Sequence, residues 1–238
     1  MPSDNEVLTH KHTRREFRQR LERGEIKACI IPVAAMEQHL EHLAMEHDWR
    51  SATHLAVEAA KRLHPQVVVS MPMAIGISEH HMKHPGTLTA MPGSWLSVLF
   101  DSITSMQRAG INNILVLNGH GGNVAPARGI WGQFLQRTGI NLHFVPYWDL
   151  LPDDVAKANL KTGRYPGHAQ EFETAFALAV FPENVRHDAM KEQPDKEPLA
   201  ATAEAGRAMV EALITEVAKY TQAMIDGKRV AEVPPFHP

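Results

Sequence analysis

A single cysteine, Cys29, in 238 residues leaves no internal disulfide to staple the fold. It sits in the apolar run Ala28-Cys29-Ile30-Ile31, the setting of a buried thiol, and this usage fits a reducing cytoplasm. No apolar run approaches the roughly 18 residues that a membrane-spanning helix needs. The first 25 residues are polar, without an apolar leader stretch, so no secretory signal is expected. The net charge is −3 and no basic stripe runs along the chain, which gives nucleic acid nothing to bind. The short basic group from His10 to Arg15 is answered by Glu16, Glu22 and Glu25 and reads as a solvated helix face. A serine hydrolase is excluded by the lack of a G-x-S-x-G elbow, and a cysteine hydrolase by Cys29 lying inside an apolar run.

What is present is 44% hydrophobic content, enough for one α/β domain spanning residues 1–238. Apolar runs at 26–33, 67–69, 114–117 and 141–146 predict buried strands. Helices are predicted over 9–23, 49–63, 92–108, 124–137, 167–181 and 199–226, with loops at 34–48 and 72–86. Strands and helices alternate and the strands are apolar throughout, so the expected architecture is a mainly parallel sheet with helices on both faces. Residues 191–198 read as a linker, and the proline-rich tail 233–238 is expected to lie over a neighbouring surface or chain.

Histidine is the other abundance: eight of the 15 fall between His39 and His84. Ligands of open α/β sheets bind at the carboxyl ends of strands, and three suspicious segments follow predicted strands. These are Glu37-Gln38-His39-Leu40-Glu41-His42, Ser78-Glu79-His80-His81 and Asn118-Gly119-His120-Gly121-Gly122-Asn123. Glu37 and His39, two apart, project to one side of an extended segment, and Asp48 follows at the mouth of a helix. Two carboxylates and an imidazole converging make a ligand set for zinc, manganese or iron, and the two oxygens of Asp48 can bridge two ions. Taken alone, such a loop also fits a solvated surface. The glycine loop fails the dinucleotide pattern at Val124 and lacks a P-loop ending. What it offers is a histidine that ligand and substrate can approach closely. Met36, Met45, Met71, Met73, Met82 and Met91 are expected as core or pocket lining, and Trp148 as pocket wall or core.

Four strings in order resemble the creatininase (creatinine amidohydrolase) family, in its branch with Asn-Gly-His-Gly-Gly-Asn as third motif. They are Glu37-Gln38-His39-x-x-His42-Leu43 with Asp48, Glu79-His80 with Pro85-Gly86-Thr87, the glycine loop 118–123, and His168-Ala169 with Glu173-Thr174. The resemblance implies two divalent ions per chain, a small-molecule substrate and a homo-oligomer, commonly a hexamer. It further implies that a dimetal-bound hydroxide opens a cyclic amide or related cyclic carbonyl. Position by position, Glu37, Asp48 and His120 resemble the ligands of one ion, and His39 with the shared Asp48 those of the other. Creatininase completes the second site with a glutamate where this chain has Gly122; Glu173 is the expected replacement. Glu173 or His168 would pass a proton to the leaving group, and His42, Glu79 and His80 would orient ligands. Asn118, Gly121, Gly122 and Trp148 would shape the substrate's surroundings. Glu41, His47, Lys83 and His84 depart from the family pattern. With Gly122 they predict a roomier, more polar pocket and a substrate other than creatinine. Alternatives are hydrolysis of a C–C bond in a polyhydroxylated cyclic ketone or diketone, and a metal-binding member without turnover.

Overall fold

The run that starts at Ala28 is apolar on both faces, and it becomes the centre of a sheet. In the computed structural model, which describes residues 6–233, β1 (Ala28–Val33) is buried at every position. It pairs in parallel with β2 (Val67–Val69) and with β3 (Asn113–Asn118), and β4 (Asn141–Pro146) joins β3, giving the all-parallel order β2-β1-β3-β4. Side chains alternate along the strands as the period of two requires. Ala28, Ile30, Leu115 and Leu117 enter one core layer, and Cys29, Ile31, Ile114 and Val116 the other.

Parallel neighbours need crossovers, and here each of the three carries a helix. In chain order the helices are α1 (Arg14–Glu22), α2 (His47–Arg62), α3 (Pro92–Arg108), α4 (Val124–Thr138), α5 (Asp153–Asn159), α6 (Glu171–Val180), α7 (His187–Glu192) and α8 (Ala203–Ile225). Side chains of α2, α5, α6 and α8 pack on one face of the sheet, those of α1, α3 and α4 on the other. The expected mainly parallel α/β sheet, covered on both faces, is what forms.

Several boundaries move, each for a local reason. The first helix starts only at Arg14, because Thr13 caps it reciprocally with Glu16. α2 starts two residues early and takes Asp48 into its first turn. The helix expected from 167 starts at Glu171, since Gly167 (φ 68) and Ala169 (φ 53) are left-handed and cannot lie in a right-handed helix. α8 starts at Ala203, capped by Thr202. The short α5 and α7 were not expected, being too brief to show a period, and α7 takes up the start of the expected linker. Met71, Met82 and Met91 are exposed rather than core or pocket lining. The tail expectation falls on residues 234–238, which lie outside the described residues.

The four strands release their following loops at one edge. There the glycine loop closes on β1, with Gly119 N donating to Val33 O at 2.8 Å. Gly119 has to be glycine: a Cβ would stand 2.6 Å from the carbonyl oxygen of Asp48. That contact seats the first turn of α2 against the end of β3.

Candidate metal centre

Asp48 is the hub of this edge. Its Oδ1 is 2.9 Å from His39 Nε2 and its Oδ2 is 3.1 Å from His120 Nδ1. Glu37 Oε1 stands 3.3 Å from the same His120 nitrogen, and Glu173 Oε2 stands 3.8 Å from His39 Nε2. None of the five residues is more than 4% exposed. Charged groups are seldom buried so deeply unless paired or ligating.

The far side of each histidine is tied to backbone. His39 Nδ1 donates to Glu37 O at 3.0 Å, and His120 Nε2 to Ile77 O at 3.0 Å with Ser78 Oγ at 3.1 Å. Each near nitrogen is therefore turned to the carboxylates, the orientation a ligating histidine has. Without an ion, those nitrogens hold protons. Burial opposes charge on His39, but the charge and hydrogen bond of Asp48, with Glu173, hold its pKa up at about 9. Burial opposes charge on His120 too, and hydrogen bonds to Asp48 and Glu37 lift it to about 10. Burial would raise Asp48, yet the two histidines keep it below the ordinary carboxylate range. Glu37 is lowered against its burial by His120. Glu173 goes the other way: burial pushes it up to about 8, only partly offset by His39.

Glu173 is held by the turn before α6, where Ala169 N donates to its Oε2 at 2.5 Å. The same turn presents half-buried His168, whose Nδ1 is 3.6 Å from Glu37 Oε1. A pocket of about 310 Å³ opens over these groups, lined also by His80, His81, Gly121 and Trp148. Among the described residues, three ligand atoms lie within 4.8 Å of one another in each of four sets: Glu37-His39-Asp48, His39-His168-Glu173, Glu37-His80-His120 and Glu37-His81-His168.

The remaining expected residues fall into place unevenly. His80 stacks on His120 with ring centroids 5.8 Å apart. Asn118 is buried below the pocket and shapes the loop, its Nδ2 donating to His120 O at 2.7 Å. His42 is fully buried and ties the first loop to α6 through Thr174 Oγ1 at 2.9 Å. Glu79 is not brought into the site. It is exposed on a turn, and the orienting role expected of it falls to Ser78 and the Ile77 carbonyl. His47 is not at the entrance but buried behind His39, among Phe176 and Phe181. Burial and the His39 charge drive its pKa down to about 3. Glu41, Lys83 and His84 are exposed and line no part of this pocket.

Gly122 corrects a further expectation. Its missing side chain does not enlarge the pocket, because a Cβ there would stand 2.1 Å from Ile77 O and 2.6 Å from His120 Nε2. Gly122→Glu should therefore displace His120 rather than add a ligand. We expect a destabilisation of about 1–3 kcal/mol, typical of overpacking, with loss of metal affinity. Thermal melts and metal titration check this, and an unchanged melt with an extra ligand would show the loop to be free to open. Sequence reading missed Gln38, His81 and Ser78. His81 was visible beside His80, but Gln38 and Ser78 do not ionise and carried no signal of their own.

A family profile described as creatininase (creatinine amidohydrolase) matches residues 10–200. The creatinine amidohydrolase of Pseudomonas putida is 26% identical over 204 residues, 79% of this chain and 77% of that protein. A 3-dehydro-scyllo-inosose hydrolase of Thermotoga maritima is 28% identical over 177 residues, 72% of this chain and 55% of that protein. A mycofactocin precursor peptide peptidase of Mycobacterium ulcerans is 31% identical over 109 residues, 43% of each chain. The match thus spans less than two thirds of the last two proteins. Among solved structures, a creatininase shares the fold at TM-score 0.81 and 21% identity, over 97% of this chain and 99% of that one. A glutamate-to-glutamine creatininase variant of Zn–Zn type (TM-score 0.78, 21% identity, 97% and 99% coverage) and a manganese creatininase (0.77, 22%, 97% and 100%) share it too. With the profile spanning most of the residues and the fold shared nearly end to end, this chain belongs to the creatininase family of metal-dependent amidohydrolases.

Proposed function

We propose that this chain opens a cyclic amide or related cyclic carbonyl compound by hydrolysis, using two divalent ions, zinc, manganese or iron. The observation that carries the reading is Asp48, whose two oxygens face two different histidines at 2.9 and 3.1 Å. Glu37, Asp48 and His120 would hold one ion, and His39, Asp48 and Glu173 the other. The donor set fits, since carboxylate oxygen and imidazole nitrogen suit these metals. Glu37 Oε2 is also buried without a partner, a costly state that a cation relieves. Two such ions, when bound, polarise a carbonyl and lower the pKa of water toward about 7. The chain itself supplies hydrogen-bond donors and the walls. His168 stands beside Glu37, placed to donate its ring N–H to a substrate oxygen, and Trp148 and Gly121 bound the space above.

The substrate we infer is a ring richer in oxygen than creatinine. The polar rim that supports this is made by His80, His81 and His168, which line the pocket. Sites built to bond substrate oxygens reject analogues lacking them by as much as about 10⁴. A C–C hydrolase acting on a polyhydroxylated cyclic ketone is the second reading, favoured by the similarity to the Thermotoga inosose hydrolase. The test is kcat/KM for creatinine, a hydroxylated lactam and a polyhydroxylated cyclic ketone, with zinc, manganese and iron supplied in turn. We expect creatinine to be the poorest. Creatinine as best substrate by a wide margin would overturn the substrate reading, and no turnover of any carbonyl compound would leave a binding protein. We further propose a homo-oligomer, a hexamer by family likeness, supported by the exposed apolar side chains of Met71, Ile75, Met91 and Val98.

A further inference from the structure

Gln38 sits between two of the proposed ligands and cannot ionise, yet its amide is oriented without ambiguity. The backbone N–H of Leu40 can only donate, and it stands 2.9 Å from Gln38 Oε1. The amide nitrogen then faces two imidazoles, 2.9 Å from His81 Nδ1 and 2.7 Å from His168 Nε2. A side-chain amide nitrogen has two hydrogens to give, and its lone pair is delocalised into the carbonyl and does not accept, so both histidine nitrogens must accept. A neutral imidazole that accepts at one nitrogen carries its hydrogen on the other. His81 is therefore the Nε2–H tautomer and His168 the Nδ1–H tautomer. Those two nitrogens lie beside one carboxylate oxygen at the pocket, 3.8 and 3.6 Å from Glu37 Oε1. The rings stack with centroids 4.4 Å apart and 22° between planes.

We propose that Gln38 is a positioning residue that fixes these two tautomers, so that the pocket offers paired neutral N–H donors, from His81 and His168, to a substrate oxygen that gains negative charge. The proposal deepens the hydrolase reading and rests on it for the identity of that oxygen. It also explains a choice among ligand sets. Glu37, His81 and His168 lie within ion-binding reach of one another, but with hydrogens on the inner nitrogens neither histidine has a lone pair to give a metal. Gln38 thereby keeps ions on the Asp48 side and leaves the His81–His168 side to the substrate.

The test reads hydrogens directly. The zinc-loaded full chain, labelled with ¹⁵N at histidine, is examined by long-range ¹H–¹⁵N correlation, with signals assigned by their loss in His81→Ala and His168→Ala. We expect His168 as Nδ1–H, the minor form in free imidazole, and His81 as Nε2–H. Gln38→Leu should release His168 to the Nε2–H form and lower kcat by roughly 10²-fold, the scale of losing an oxyanion donor, with KM little changed. Gln38→Glu should reverse both tautomers, because a carboxylate accepts where the amide gave, and should take up one more zinc per chain by equilibrium dialysis. His168 as Nε2–H in the unmodified protein overturns the proposal without any variant having to fold. Wild-type tautomers in both Gln38 variants overturn it as well. The tautomers are read without substrate, so if they hold and no carbonyl compound is turned over, the hydrolase reading fails and the clamp stands.

Discussion

Asp48→Asn is expected to strip both ions from the protein and to lower kcat/KM by roughly 10²- to 10⁴-fold. The substitution keeps the shape of the side chain and removes its charge. Asp48 is 2% exposed and, among the described residues, is the one carboxylate that touches both histidines. Breaking a buried charge set by removing one member costs on the order of 3–5 kcal/mol of folding stability, and activity falls because the ions that would polarise the carbonyl and activate water are no longer held. His39 and His120 would lose the partner that holds their pKa values near 9 and 10. Glu173→Gln is the comparison. It touches only His39 of the pair, so it should lose one ion and keep the other. Elemental analysis of the two variants decides between a shared and an unshared carboxylate. An Asp48→Asn protein that keeps two ions per chain removes the bridge.

Metal affinity should climb steeply with pH, and by different amounts at the two positions. At neutral pH the metal-free site holds protons on His39, His120 and Glu173, whose pKa values stand at about 9, 10 and 8. An ion among Glu37, Asp48 and His120 must displace one proton. An ion among His39, Asp48 and Glu173 must displace two. Each displaced proton makes affinity rise about tenfold per pH unit below the pKa of its group. From pH 6 to 8 the first position should therefore gain about 10²-fold and the second about 10⁴-fold, and each slope should flatten once its group has lost its proton. On acidification the second ion leaves first and activity follows it. Chelator competition at pH 6, 7 and 8 checks this, and equal or flat slopes would contradict the assignment of Glu173 as a ligand.

The sheet was legible because its strands are apolar on both faces, as in Ala28–Val33, and because parallel topology then dictates that the loops after β1, β2 and β3 share an edge. The same logic places Glu37, His39, Asp48 and His120 together, since they follow β1 and β3 at that shared edge. What stayed hidden depends on geometry that spacing cannot carry. His47 is next to Asp48 in sequence, but one helical step of about 100° turns it away from the pocket into an aromatic cage. Gly122 read as space, and only the Ile77 carbonyl behind it shows that the space is filled. The turn at Gly167 to Ala169 looked helical by composition, yet its left-handed residues are what set His168 and Glu173 on the same rim. Gln38 is the clearest case, since its partners His81 and His168 lie 43 and 130 residues away. No pattern within the first motif could name them.

The most direct measurement is anomalous diffraction at the zinc absorption edge from crystals of the zinc-loaded protein. The account predicts two peaks per chain roughly 3.5–4 Å apart, one among Glu37, Asp48 and His120 and the other among His39, Asp48 and Glu173, with Asp48 between them. A single peak, a pair that does not share Asp48, or a peak on His81 and His168 would contradict it.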